Sequence, residues 1–357
     1  MRQSFWRNRR VFLTGHTGFK GSWLSLWLAR LGASTVGYSD GVPTQPSLYE
    51  AASVAETLAS VAGDVRDREH LGRTLADHRP EVVFHLAAQP LVRRSYAEPA
   101  LTFETNVLGT VNLLEAVRSV DSVRSVVVVT TDKVYEHVES RRYRESDPLG
   151  GSDPYSSSKA CAELVTAAYR SSFFSGEGSA AVATARAGNV IGGGDWAQDR
   201  LVPDLIAALR TDRPVEIRYP QAIRPWQHVL NPLDGYLLLA ERLWDEPALA
   251  RAWNFGPVES DMHTVEWLVG RISEQWGSGI RVLAPPQPQP PEAPSLLLDA
   301  TRAQEELGWT ERWGISAGLE ATVDWYRRDA AGEDARTLTI GQIEAFTAHH
   351  QPASVFS

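Results

Sequence analysis

Tyr155 and Lys159 stand four residues apart in the run Tyr155-Ser156-Ser157-Ser158-Lys159, at the start of a segment with helical spacing. Residues four apart share a helix face, so the sequence predicts an ammonium beside a phenol. A neighbouring cation favours phenolate and lowers a phenol pKa from about 10, which makes a base for a hydroxyl proton. Such pairs also occur on exposed helices with no function, so their company decides. Upstream, Val126–Val129 opens directly onto Thr130, Thr131, Asp132 and Lys133. Four valines call for cover on both faces of a strand. The hydroxyls, the carboxylate and the amine then fall at its carboxyl end, where open α/β sheets bind ligands. The competing reading of Asp132 and Lys133 is a solvated charge pair.

A second constellation, Thr14-Gly15-His16-Thr17-Gly18-Phe19-Lys20-Gly21, lies between a short apolar run and a helical pattern. Glycines three apart let the backbone turn tightly and approach a pyrophosphate, which the helix N-terminus then stabilises. The spacing is G-x-x-G-x-x-G rather than G-x-G-x-x-G, but the strand–turn–helix context is the required one. A dinucleotide is expected on Gly15, Thr17, Gly18, Phe19, Lys20 and Gly21, with Thr130, Tyr155 and Lys159 also in contact. An acidic residue is expected about 20 residues on; Asp40, beside Ser39, comes one or two positions late. No arginine follows to hold a 2′-phosphate, so NAD is favoured over NADP. Asp64 and Val65 are placed to meet the adenine, and Ala87 and Ala88 are small enough to let the cofactor lie close.

The elements that must position these groups are legible as alternation. Strands are expected at Val11–Thr14, Ser34–Tyr38, Ser60–Val65, Val82–Ala87, Ser125–Thr130 and Ala181–Arg186. Helical patterns fall at Gly21–Leu31, Thr105–Ser119 and Tyr155–Phe173. Strands alternating with helices imply βαβ units and an α/β fold with a doubly wound parallel sheet. After about Asn189 prolines and glycines become frequent and the elements short, which marks a smaller substrate-binding domain. The division expected is 1–188, completed by 226–257, for the dinucleotide; 189–225 and 258–330 for the substrate; and a polar tail, 331–357, with one apolar helix pattern at Leu338–Phe346. Residues 285–294 read as a proline-rich connector. Trp267, Trp276, Trp309 and Trp313 read as core of the smaller domain.

Composition excludes several classes. The chain has 357 residues, 43% hydrophobic and 22% charged, enough for a full core. A net charge of -9 with no dominant basic stripe argues against nucleic acid. One cysteine, Cys161, excludes an intramolecular disulfide framework and a cysteine-rich metal site. No run approaches the roughly 20 apolar residues of a membrane span, and VFLTG is too short for a signal sequence. The expectation is a cytoplasmic enzyme with no metal. His16, His85 and His228 are not metal-spaced and read as packed or supporting residues.

In this order, T-G-x-x-G-x-x-G, H-L-A-A, T-T-D and Y-x-x-x-K resemble the extended short-chain dehydrogenase/reductase superfamily. Longer stretches, among them "LTGHTGFKGSWL", "FHLAAQPLVRRSY", "GNVIGGGDWAQDRLVPD" and "RPWQHVLNPLDGYLLLAE", resemble its CDP-glucose 4,6-dehydratases over roughly residues 8–328. The resemblance implies NAD, a nucleotide-diphosphate hexose with CDP-glucose favoured, and a homodimer packed through helices near Thr102–Val117 and Ser156–Phe173. It implies that Tyr155 deprotonates the C4 hydroxyl, that Thr131 bonds the C4 oxygen, and that Asp132 protonates the departing C6 hydroxyl. Lys133 stands where sugar dehydratases keep the C5 base; many relatives carry Glu there. On the substrate side it implies Asn189, Arg200 and Arg224 near the diphosphate, Arg93 and Ser95 near the hexose, and Gln89 and His228 in the same lining. An epimerase on the same scaffold is the alternative, since it needs everything except Asp132 and Lys133. A dinucleotide-binding regulator without catalysis is disfavoured by the intact motifs.

Overall fold

The computed structural model describes residues 2–138, 141–285 and 295–348, so most of the proline-rich connector lies outside the described residues. Seven parallel strands form one sheet: β1 (Arg10–Thr14), β2 (Ser34–Ser39), β3 (Ala59–Ala62), β4 (Val82–His85), β5 (Ser125–Val129), β6 (Ala181–Ala187) and β7 (Ala252–Phe255). Their spatial order is β7-β6-β5-β4-β1-β2-β3. The direction of winding reverses between β1 and β4, so a crevice opens beyond their carboxyl ends.

The longer helices among the described residues are α1 (Phe19–Arg30), α2 (Arg68–His78), α3 (Gly109–Arg118), α4 (Pro154–Phe173), α5 (Leu201–Thr211), α6 (Leu230–Asp245), α7 (Val265–Trp276), α8 (Ile315–Ala330) and α9 (Ala335–Ala348). The valines of β5 explain the layering. Val126 and Val128 pack with Leu71, Leu75, Leu113 and Leu114 from α2 and α3. Val127 and Val129 point the other way and join Trp23, Leu24, Leu233 and Leu237 from α1 and α6. All five β5 residues are buried, as a central strand covered on both faces requires.

Three elements depart from expectation. Helix α1 starts two residues early because Gly18 is its N-cap, so the glycine turn runs straight into the first helical turn. Strand β3 ends at Ala62, where the Tyr38 ring lies across Gly63: a Cβ there would stand 2.3 Å from it. The helix expected from Thr105 is α3 preceded by a π-helical turn, Glu104–Leu108, and a short helix, Pro99–Phe103.

Beyond β6 the chain makes short paired strands, Val190–Ile191 with Gln227–His228 and Ile223–Arg224 with His263–Thr264, and between them β7 returns to the sheet beside β6. Trp309 and Trp313 are buried, with Trp267 and Trp276 packed on the same core. The C-terminal segment is more than a polar tail. Helix α9 sends Phe346, fully buried, edge-on to Trp27 of α1 at 5.7 Å and to Trp313 at 5.3 Å. Its Thr339 accepts from Trp325 Nε1 at 3.1 Å.

Candidate active site

The glycine turn is built by contact. Gly15 has φ +76°, and a Cβ there would lie 2.7 Å from the Ala87 nitrogen; a Cβ on Gly21 would lie 2.0 Å from the Gly15 carbonyl. Thr14 ties the neighbouring strand end into place, its Oγ1 accepting from the nitrogens of Leu86 (3.2 Å) and Ala87 (3.1 Å) and standing 2.7 Å from His85 Nδ1. Gly18 offers no side-chain cap, so the first N–H groups of α1 remain for an anion. The cradle fits a dinucleotide pyrophosphate. His16 packs over Gly37 and bridges Ser39 (3.0 Å) to Ser60 (2.7 Å). Thr17 donates to the Gly41 carbonyl at 2.6 Å. Asp40 is exposed just past β2. Asp64 receives Arg66 through Nη2 at 2.5 Å, which holds its carboxyl below the usual range, and Val65 beyond it is buried. Phe19 and Ala87 are partly buried beside the cores of the two sheet faces, and Ala88 follows Ala87 at the crevice edge.

Lys20 does not reach into open solvent. Its Nζ stands 3.4 Å from the Tyr236 hydroxyl on α6. Burial, with Arg200 and Lys159 nearby, pulls its ammonium down to about 7, against the pull of Asp132.

Across the crevice, Asp153 caps α4, accepting from Ser156 N at 2.9 Å, and Pro154 fills the first helical position. This fixes Tyr155 in the first turn, and Ser95 Oγ accepts from the Tyr155 nitrogen at 3.2 Å. The Tyr155 phenol is buried and hydrogen-bonded to Thr131, and Thr131 Oγ1 donates to Asp132 Oδ1 at 2.9 Å. The expected depression of the phenol is outweighed by burial. Burial pushes Tyr155 up to about 12, opposed by the Thr131 hydrogen bond and by Arg200. Lys159 instead donates to the Val129 carbonyl at 3.1 Å, and burial brings it down to about 8 against Glu163. Asp132 is 2% exposed, its Oδ2 has no hydrogen-bond partner among the described residues, and burial pushes its carboxyl up. A buried carboxyl with a free oxygen is suited to holding a proton for delivery. Lys133 follows, partly buried, on the 3₁₀ turn Asp132–Val134.

The residues expected on the substrate side divide into two groups. Arg200 and Arg224 do approach the crevice. Arg200 donates to Asp195 at 2.9 Å within the field of Tyr155, and Arg224 is buried within the field of Asp132. Asn189 is partly buried just beyond β6, its carbonyl accepting from Gln227 N at 3.1 Å. Arg93 forms a surface pair with Asp199 at 2.7 Å. Gln89, Ser95 and His228 are otherwise engaged. The Gln89 carboxamide donates to Leu91 O and Thr102 Oγ1 and accepts from Leu91 N. Ser95, fully buried, donates to Val92 O and docks Tyr155 rather than facing a sugar. His228 has no exposed surface for a ligand; it packs against Trp23 and Trp313, and burial pushes it down to about 3.

Three partners of the site lie outside the motifs: Tyr236 beside Lys20, and the buried pair Glu163–Arg186 behind Thr130. Glu163 was within reach of the sequence, since it lies four residues past Lys159 on the same helix face. An arginine inside the apolar strand AVATAR also calls for a buried acid. Among the described residues no group of three or more metal-ligating side chains is present.

A glycine cradle facing a Tyr–Lys pair at the switch point of this sheet defines an extended short-chain dehydrogenase/reductase. The pattern of the family described as GDP-mannose 4,6 dehydratase matches residues 12–322, and the chain belongs to that family. A CDP-glucose 4,6-dehydratase of Salmonella typhimurium is 49% identical over 350 residues, covering 96% of this chain and 98% of the relative. A dTDP-glucose 4,6-dehydratase of Streptomyces venezuelae, solved with NAD bound, superposes with a TM-score of 0.77 at 26% identity, over 92% of this chain and 99% of that one. A UDP-glucose 4-epimerase of Thermus thermophilus, solved with NAD, gives 0.77 at 26%, over 89% and 99%.

Proposed function

We propose that the protein is an NAD-dependent CDP-glucose 4,6-dehydratase, a hydro-lyase that makes CDP-4-keto-6-deoxyglucose. The observation that carries this reading beyond the shared scaffold is Asp132, a buried carboxyl with a raised pKa and a free oxygen, set between Thr131 and Lys133. The 49% identity to a CDP-glucose 4,6-dehydratase supports the choice of nucleotide. Bound NAD would accept hydride from C4 and return it to C6. Tyr155 takes the C4 hydroxyl proton, with Thr131 holding the oxygen and Lys159 beneath it. With a ketone at C4 the C5 proton becomes acidic and Lys133 removes it as Asp132 protonates the departing C6 oxygen; Lys133 then gives a proton back to C5 as hydride reaches C6. Arg200 and Arg224 offer the cations for the substrate diphosphate. The sheet, with the segment 226–257, serves the cofactor, and 189–225 with 258–330 serve the nucleotide sugar.

Assembly as a homodimer is supported by exposed apolar side chains on the two helical segments expected to pack, Phe103 and Leu108 on one and Leu164 and Phe173 on the other. No helix among the described residues is long and apolar enough to cross a membrane, and the single cysteine suits a cytoplasmic location. Incubation with CDP-glucose deuterated at C4 tests the reading. The product should be a 4-keto-6-deoxy sugar carrying deuterium at C6, with no NADH released; steady NADH release, or a C4 epimer, would refute it.

A further inference from the structure

Directly behind the reacting groups lies a charge pair that the mechanism above does not use. Glu163 of α4 and Arg186 of β6 are 3% and 4% exposed at the side chain and 2.8 Å apart. Burying such a pair costs several kcal/mol per ion before their attraction is counted, and apolar replacement is often neutral or better. Its geometry supplies a reason for keeping it. One Glu163 oxygen accepts from Thr130 Oγ1 at 2.5 Å and from Arg186 Nε at 3.0 Å; the other accepts from Thr184 Oγ1 at 2.7 Å and from Arg186 Nη2. The remaining arm of the guanidinium, Nη1, donates to the Tyr135 hydroxyl at 2.9 Å, and that hydroxyl donates to Asn254 Oδ1 at 2.6 Å. Thr130 and Tyr135 are the residues on either side of Thr131–Val134.

We propose that Glu163 and Arg186 form a positioning clamp that grips both ends of the turn bearing Thr131, Asp132 and Lys133, and so holds acid and base in register for elimination. Successive side chains of an extended strand diverge, so a strand end alone would send Asp132 and Lys133 to opposite sides. The 3₁₀ turn redirects them, and the clamp fixes where that turn begins and ends. Thr184 provides an internal control: it makes an equally buried hydrogen bond to Glu163 but leads into β6, away from the turn.

The catalytic half of the inference rests on the dehydratase reading; the ordering half does not. Tyr135→Phe deletes one hydroxyl from the clamp, and Thr184→Val deletes one from the control position. Hydrogen–deuterium exchange of NAD-loaded protein reads the turn without reference to activity. Exchange across residues 131–135 should rise in Tyr135→Phe and stay at the parent level in Thr184→Val. In single turnovers with CDP-glucose, Tyr135→Phe, which loosens the end of the turn beyond Lys133, should slow C4 oxidation less than water loss. Water loss should slow about tenfold or more, the scale of a misplaced reacting group, so that reduced cofactor accumulates at 340 nm. Equal behaviour of the two variants in exchange, or an unperturbed turn in Tyr135→Phe, overturns the clamp. A parent protein that leaves CDP-glucose unchanged refutes the dehydratase reading instead, and the exchange comparison still decides the clamp.

Discussion

Burial raises the Tyr155 phenol to about 12 and lowers the Lys159 amine to about 8, so desolvation opposes both the phenolate and the ammonium that would favour it. Tyr155→Phe and Lys159→Met should each lower turnover about 10²–10⁴-fold, while Tyr155→Phe should still bind the nucleotide sugar in a calorimetric titration. Asp132→Asn and Lys133→Met should oxidise C4 yet fail to lose water, leaving a bound 4-keto-hexose that retains its C6 oxygen. Solvent exchange at C5 should vanish in Lys133→Met; a parent rate of product formation there would place the C5 base elsewhere. Lys20 gives a pH-dependent test. With burial bringing its ammonium down to about 7, the charged form that favours an anionic pyrophosphate is full below that pH and declines above it. NAD affinity, followed by tryptophan fluorescence, should therefore fall by up to about tenfold per pH unit above 7, and Lys20→Met should flatten the profile. The motifs were legible because they are local: a Tyr–Lys pair one helical turn apart, glycines three apart, charges after a valine run. Arg200 as the cation that offsets the burial of Tyr155, and Tyr236 beside Lys20, were not legible. Each comes from a remote segment that only the folded chain brings to the crevice.

At the scale of elements, periodicity carried the first half of the chain well. Each expected strand through Ala181–Arg186 has its counterpart, because a doubly covered strand needs continuous β-branched or small apolar residues. The errors are boundaries set by tertiary contact (Gly18 capping α1, the Tyr38 ring closing β3, the π-helical turn ahead of α3) and one missed helix, α2, which buries only Leu71, Thr74 and Leu75 and so shows little apolar period. The short pairs beyond β6 carry only two residues per strand, too few for any period to register. Two predictions belong here. Leu164 and Leu108 are 58% and 54% exposed; replacing both with glutamate should convert the proposed homodimer to monomer in sedimentation, whereas a dimeric mass in the variant would place the interface elsewhere and a monomeric mass in the parent would refute the dimer. Phe346→Ala should cost about 3–5 kcal/mol, as large-to-small changes in a packed core do, read from urea denaturation; a loss below 1 kcal/mol would mean that α9 is peripheral.

Across the whole molecule, the response to acid combines opposing groups. His16, His85 and His228 are held near 4, 3 and 3 by burial. Their unfolded value lies near 6.5, so the unfolded chain binds more protons as pH falls below it, and stability present at neutral pH is lost on acidification. Asp234 and Glu311, raised to about 6 and 7 by burial, act in the reverse sense and regain stability as they protonate. The parent profile between pH 7 and 5 should consequently be shallow. His228→Phe isolates one side, since His228 Nε2 has no partner among the described residues. Its stability relative to the parent should improve by about 2 kcal/mol on going from pH 7 to pH 5; a difference independent of pH would mean that His228 takes up its proton in the fold at the same pH as in the unfolded chain.

The docking of Phe346 onto Trp27 also has a temporal side. A ribosome releases the indole early and the ring that covers it hundreds of residues later, an interval of roughly 15–60 s at ordinary elongation rates. Through that time the helix that opens the dinucleotide cradle carries an uncapped aromatic surface. Nascent chains of this protein are therefore expected to engage holding factors at α1 until the last helix emerges.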